Sequence, residues 1–458
     1  MSNEQRQTTP IGAFLAPALV KPEGREGTAD LLIARQPSET PMFGEALMEA
    51  ICERSNRRQA LKRVVENQGA PGIDHLSTGE LTGYLKTHWP ELKEQLLTGT
   101  YMPQPVKRVV IPKPSGAGSR NLGIATVVDR FIQQAVLQVL QAKWDASFSE
   151  FSYGFRPRRS AHQAVEQAQR YLQAGYEYVV DIDLEKFFDR VHHDKLMSAL
   201  SQRIADKRVL KLIRSYLRAG VMANGLVSTP EAGAPQGGPL SPFLSNVVLD
   251  ALDKELEKRG HRFVRYADDC NIYVRSQRAG ERVMKSISRF ITHRLKLKIN
   301  QQKSAVARPQ ERKFLGFSFT GGRRANRKKI APESLKRFKR RVRQLTRRSR
   351  QMSLEQRISR LSVYLRGWKA YFGLAETSSV FRDLDSWIRR RLRCILWKQW
   401  KTYRRRKREL VKRGVGESLA FAAAWSNKGP WCICHTPSVR MALPNDFFDS
   451  LGLPRLSA

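Results

Sequence analysis

Aspartates on two strand-like segments carry the chemistry that this chain suggests. Asp268 and Asp269 stand side by side between two β-rich runs, Phe263-Val264-Arg265-Tyr266 and Cys270-Asn271-Ile272-Tyr273-Val274, so the pair belongs at the tip of a hairpin. Upstream, Tyr178-Val179-Val180-Asp181-Ile182-Asp183-Leu184 alternates as a strand, with Val179, Asp181 and Asp183 on one face. Like charges a few ångströms apart raise one another's pKa, and a buried carboxylate needs a partner charge or a metal. Magnesium takes one or two carboxylates together with the phosphates of its substrate. If the strand pairs beside the hairpin, three or four carboxylates converge. Two divalent ions about 3.5–4 Å apart use such a set for phosphoryl transfer.

Those acids require strands to hold them and loops to bring a substrate near. Ala234-Pro235-Gln236-Gly237-Gly238-Pro239-Leu240-Ser241-Pro242 precedes a helical pattern carrying Leu244, Val248 and Leu252. Its glycines let backbone approach a ligand, and Pro242 suits a first helical turn. Ile111-Pro112-Lys113-Pro114-Ser115-Gly116 leads to Arg120. A lysine and an arginine bracketing such a turn can converge on a triphosphate, one as a point charge and one as a bidentate fork. Asp206 to Leu217 reads as a helix, and Gly220 to Thr229 as a turn into a hairpin. From 331 onward three apolar stripes at helical spacing follow, the first on Leu335, Phe338, Val342 and Leu345. The second runs from Leu354 to Phe372 and the third from Phe381 to Ile395.

Tyr266-Ala267-Asp268-Asp269, preceded by Asp183-x-x-x-Phe187-Phe188, resembles the palm of reverse transcriptases, specifically those encoded by bacterial group II introns. Pro235-Gln236-Gly237, Leu297 to Lys303, Phe314 to Phe319, Gln68 to Asp74 and Phe151 to Pro157 stand in that family's order, and the likeness runs from about Phe43 to the end. The resemblance implies an α+β right-hand polymerase, with an antiparallel sheet carrying the acids, followed by an all-α thumb or maturase bundle. It implies a loosely ordered extension over residues 1–42, fingers over 43–175, a palm over 176–320, a thumb over 321–410 and a DNA-binding region over 411–458. It selects Asp183, Asp268 and Asp269 as catalytic acids and ligands of two Mg2+ ions, with the Leu184 carbonyl as a further ligand. Asp181 becomes a supporting acid. Lys113 and Arg120 would clamp the incoming dNTP, Phe188 would lie under its sugar, and Gln236 would sit near the base pair. Phe314 to Phe319 is expected as a strand holding the primer end. Ala234 stands where relatives often have threonine. The sequence stops without the Cys/His-containing endonuclease region of many relatives, which resembles the class C lineage.

Composition agrees with a polyanion partner. The formal net charge is +40, and residues 321–410 hold 30 basic residues against 6 acidic ones. Plain solubilising charge mixes its signs, so this imbalance points to nucleic acid. Trp397, Trp400 and Tyr403 interleave with lysine and arginine there; such aromatics serve either as core or as stacking surfaces for unpaired bases. No apolar run approaches the ~20 residues that span a bilayer, and no secretory signal opens the chain. The five cysteines show no paired framework, in keeping with the cytoplasm, with nucleoid association when the protein acts on DNA. The expected partners are the parent intron RNA, target DNA, a primer strand and dNTPs, with no membrane. The expected function is RNA-directed DNA synthesis by two-metal nucleotidyl transfer, combined with binding of the intron RNA to assist its splicing and mobility. Two alternatives stand beside it: a splicing cofactor with a relict polymerase fold, and a domesticated enzyme of repair or defence.

Overall fold

A computed structural model describes residues 42–112, 119–223, 226–228, 233, 237–321, 326–347 and 352–457. The expected N-terminal extension therefore lies, but for Met42, outside the described residues. The chain is α+β. Its strands are β1 (Val106–Pro112), β2 (Ser119–Ile124), β3 (Tyr178–Ile182), β4 (Val221–Ala223), β5 (Leu226–Ser228), β6 (Arg262–Tyr266), β7 (Asp269–Val274), β8 (Ala305–Ala307), β9 (Phe317–Phe319) and β10 (Lys328–Ile330).

The sheet that matters for chemistry has the order β6-β7-β3-β8, with every pairing antiparallel. Alternation along β3 divides its side chains between two hydrophobic cores. Val180 and Ile182, with Cys270, Ile272 and Val274 of β7, enter a first core that gathers residues from Phe43 to Leu297. Val179, with Val264 and Tyr273, enters a second core that includes the helix Ala161–Gln173 and the helices after 331. The sheet is thus a layer covered on both faces, and only its ends can offer polar groups to a substrate.

A second sheet, β2-β1-β4-β5, is mixed: β1 and β2 form an antiparallel hairpin, while β4 runs parallel to β1 from the Val106–Val221 pair. The helix predicted from Asp206 runs over Lys207–Arg218, and the Asp206 carboxylate caps it by accepting from the Arg208 N–H. All three late apolar stripes form helices, Pro332–Leu345, Leu354–Phe372 and Ser378–Gln399, and bury Phe338, Val342, Ile358, Leu361, Leu365, Ile388 and Leu392.

One expectation needs correcting. Phe314 to Phe319 is not a continuous strand, because Leu315 and Gly316 both take positive φ (50° and 83°) and turn the chain. Phe314 and Phe317 exchange both backbone hydrogen bonds across that turn, and only Phe317–Phe319 pairs with β10. Period-two alternation survives a tight turn, so the pattern alone could not expose it.

Candidate active site

The β6–β7 hairpin closes through the pair Tyr266–Asp269, leaving Ala267 and Asp268 as its two-residue tip. β3 pairs with β7 up to Ile182–Cys270, and Asp183 follows immediately, so its register runs toward Asp269. All three predicted acids therefore come to one end of one sheet. The Asp183 N–H donates to Ser304 Oγ at 2.9 Å, and its carbonyl accepts from Asn300 N–H at 2.8 Å, which fixes the strand end. Leu184 forms an isolated antiparallel bridge with Ile299, and its side chain is buried in the first core.

Charge at this end is dense. Asp269 reaches solvent on one side, yet the protein packed around it pushes its carboxyl up to about 7, helped by the charges of Asp268, Asp181 and Asp183. Lys313 works in the opposite direction. Asp181 accepts from Arg312 Nε and Nη2 at 2.9 and 2.6 Å. Burial still holds that carboxyl above its ordinary value, with Arg312 offsetting part of the rise. Asp183 Oδ2 lies 3.2 Å from Lys303 Nζ. Among the described residues no three His, Cys, Asp or Glu side chains form a ready-made metal cage.

Phe188 sits on the short helical turn Phe187–Arg190, four residues past the Leu184 bridge. It is partly buried against the first core and meets Phe187 edge-on at 5.2 Å. Arg120 pairs through its backbone with Ile111 on the β1–β2 hairpin; its side chain, Lys113 and Gln236 lie outside the described residues. Gly237 and Gly238 do show where the glycine-rich loop packs. A Cβ on Gly237 would come within 2.6 Å of the Gly123 carbonyl, and one on Gly238 within 2.3 Å of Gln133. Gly237 thus lies against the strand that carries Arg120.

The residues that hold the hairpin were not read from the sequence. Arg265 is fully buried and uses all five of its N–H donors. Nε and Nη2 bind Asp253 at 2.7 and 2.5 Å, Nη1 binds Asn246 at 3.0 Å and the Ala267 carbonyl at 2.9 Å, and Nη2 reaches Ser152 Oγ at 2.7 Å. Burial opposes the guanidinium charge, but Asp253 more than offsets it and holds Arg265 above its ordinary value. Asp253 and Asn246 lie on the helix Ser241–Lys258, and Asn246 Nδ2 also donates to the Gly154 carbonyl at 2.9 Å. The signal was an arginine placed among apolar residues of a strand, which needs a buried anion.

A pair of adjacent acids on a hairpin, a third beside them on the central strand, and cationic surroundings form the layout of a template-directed nucleic-acid polymerase. Residues 111–319 match the family described as Reverse transcriptase (RNA-dependent DNA polymerase), and residues 335–414 match Group II intron, maturase-specific domain. Protein YkfC of Escherichia coli (strain K12) is 30% identical over 319 residues, covering 61% of this chain and 82% of that protein. Group II intron-encoded protein LtrA of Lactococcus lactis subsp. cremoris is 27% identical over 323 residues, covering 56% of this chain and 54% of its own, so the match spans about half of LtrA. Among solved structures, a chain of the Partial Cas6-RT-Cas1--Cas2 complex is 27% identical over 54% of this chain and 43% of that one, with a TM-score of 0.36. The chain belongs to the group II intron-encoded reverse transcriptase and maturase family: an RNA-directed DNA polymerase domain followed by a maturase-specific domain.

Proposed function

We propose that this protein copies its parent group II intron RNA into cDNA with Asp183, Asp268 and Asp269 as its catalytic acids, and binds the same RNA to assist splicing. The observation that carries this reading is the register of β3 on β7, which brings Asp183 to the same sheet end as the Asp268–Asp269 tip. The donors fit magnesium by their chemistry. They are hard carboxylate oxygens, and burial, aided by the charges of Asp268, Asp181 and Asp183, pushes Asp269 up to about 7, a rise that added positive charge opposes. Magnesium uses one or two carboxylates plus substrate phosphates, so a closed protein cage is not required.

Two such ions, held by the three aspartates and the Leu184 carbonyl, would supply Lewis acidity at the primer 3′ hydroxyl and at the leaving pyrophosphate. The chain's own residues do the positioning. Lys113 and Arg120 grip the triphosphate, Phe188 lies beneath the sugar and excludes a 2′ hydroxyl, and Gln236 monitors the nascent pair. Lys303 occupies Asp183 Oδ2 and must give way when a cation binds there. In this reading residues 43–175 are fingers, 176–320 the palm, 321–410 the thumb and 411–458 a DNA-binding region. Target DNA and its primer strand are further partners. We place the protein in the bacterial cytoplasm, at the nucleoid when it acts on DNA.

The test is primer extension on an RNA template with dNTPs and magnesium, comparing wild type with Asp268→Ala. Extension by wild type alone supports the reading. A wild type that binds structured RNA without extending a primer overturns the polymerase half and leaves the splicing role.

A further inference from the structure

The helix Glu417–Trp425 is built inside out. It buries its small residues Ala420, Ala423 and Ala424 and turns its large ones outward: Leu419 is 53% exposed, Phe421 52% and Trp425 57%. A surface helix ordinarily buries its bulky apolar stripe, and an exposed patch of this kind marks a binding surface. Phe421 and Trp425, four residues apart, share one face, and their rings stack 18° from parallel with centroids 5.7 Å apart. Tyr403, itself exposed, meets the Trp425 ring edge-on at 4.5 Å and so joins a second helix, Tyr403–Lys412, to the patch.

That second helix identifies the occupant. Residues 401–413 contain eight lysines or arginines and one acid, and the Arg404 guanidinium lies over the Tyr403 ring at 5.9 Å. Flat aromatic faces beside a run of cations complement a strand that carries phosphates along its backbone and offers free π-faces. A duplex lacks those free faces, because its bases already stack on one another. We propose that Tyr403, Phe421 and Trp425 form a stacking platform for unpaired bases of a nucleic-acid strand whose phosphates run along the basic 401–413 segment. The proposal rests on the reading of this chain as a nucleic-acid polymerase and adds a site to it. Of the three aromatics whose spacing drew notice in the sequence, Tyr403 joins the platform, whereas Trp397 and Trp400 are 2% and 3% exposed and belong to the second core.

RNA and DNA single strands share this chemistry, so the test includes both. Labelled oligonucleotides of about 12 nucleotides, as single-stranded DNA, single-stranded RNA and the corresponding duplex, are titrated with the full chain at fixed salt and followed by anisotropy. The double substitution Phe421→Ala with Trp425→Ala is expected to weaken binding of at least one single strand by roughly 5- to 100-fold. Duplex affinity should hold within about twofold, and the salt slope should stay unchanged because no phosphate contact is lost. Trp425→Phe, which keeps a ring, should retain most of the affinity and guards against misfolding as the explanation. Unchanged single-strand affinity overturns the proposal, as does an equal loss for the duplex. So does sedimentation showing a self-associated wild type that the double substitution makes monomeric, since a second copy would then be the occupant. Wild-type primer extension run in parallel separates the two readings. If wild type extends while the aromatic variants bind normally, only the platform fails; if wild type neither extends nor binds any oligonucleotide, the polymerase reading fails with it.

Discussion

Arg265 Nη1 donates to the carbonyl of Ala267 at 2.9 Å, across the turn that presents Asp268. Ala267 has φ +57°, a left-handed conformation that a residue with a Cβ adopts at a cost. The buried guanidinium, anchored on Asp253, therefore holds the hairpin tip in a shape its own sequence disfavours.

Removing that anchor should cost stability and geometry separately. Arg265→Ala leaves Asp253 as an uncompensated buried charge, so a loss of about 3–5 kcal/mol is expected in denaturant unfolding. Replacing both partners by apolar residues, Arg265→Met with Asp253→Leu, should restore much of that stability. Primer extension should nevertheless stay at least about tenfold below wild type, because nothing then restrains the Ala267 carbonyl. Recovery of activity together with stability would mean that the pair supports only the fold.

Gly154 tests the same turn from the opposite side. A Cβ there would lie 2.2 Å from the Ala267 nitrogen and 2.9 Å from the Tyr266 carbonyl carbon, both backbone atoms with little room to yield. Gly154→Ala should destabilise by about 1–3 kcal/mol and depress extension more than the stability loss explains. Gly44→Ala, where a Cβ meets nothing within 4 Å, is the matched control. Equal activity of the two variants at a temperature where both are folded would sink the idea that Gly154 exists for this contact.

How much of this was open to a reader of the sequence depends on whether the signal is local. Alternation along Tyr178 to Leu184 correctly separated Val180 and Ile182 from Val179, because a strand covered on both faces still obeys period two. The hairpin tip and the three late helices were legible for the same reason. Contacts between distant segments were not. Lys303 on Asp183 and Arg312 on Asp181 join positions more than a hundred residues apart, and basic residues abound in this chain. Arg265 was hidden inside a run read as β-rich, and its anion Asp253 lies on a helix chosen only for its apolar period. Aromatic spacing left core and stacking surface both open, and burial divides them. Trp397 and Trp400 alternate with charge yet are buried, whereas Phe421 and Trp425 lie in a run apolar enough to pass for core.

Glu376 should make part of the fold sensitive to acid. Its carboxylate accepts from the Lys328 N–H at 2.7 Å and from Gln169 Nε2 at 2.9 Å, tying β10 to the helix Ala161–Gln173. Burial raises its pKa, but those bonds and the Lys328 charge outweigh burial and leave it below its ordinary 4.5. A depressed carboxylate contributes stability that is complete above the unfolded value and fades as pH falls through the folded one. Wild type should therefore lose melting temperature from about pH 5 downward, and Glu376→Gln should lose less over the same interval. Parallel melting curves for the two proteins would remove Glu376 from the acid response.

The role proposed for Phe188, a steric filter against a 2′ hydroxyl, can be separated from plain packing. It follows Asp183 by five positions, sits on the Phe187–Arg190 turn and is only partly buried. Phe188→Ala should relax discrimination against ribonucleotides in single-turnover extension, because the bulk that would meet a 2′ hydroxyl is gone. It should also cost some stability through lost contact with Phe187 and the first core, up to the ~3–5 kcal/mol of a fully buried phenylalanine. Comparing the ratio of kcat/KM for each dNTP and its rNTP separates the two effects, since a general loss of folded protein lowers both rates and leaves their ratio alone. A ratio equal to that of wild type would assign Phe188 to packing only, and the steric boundary of the sugar pocket would have to come from another side chain.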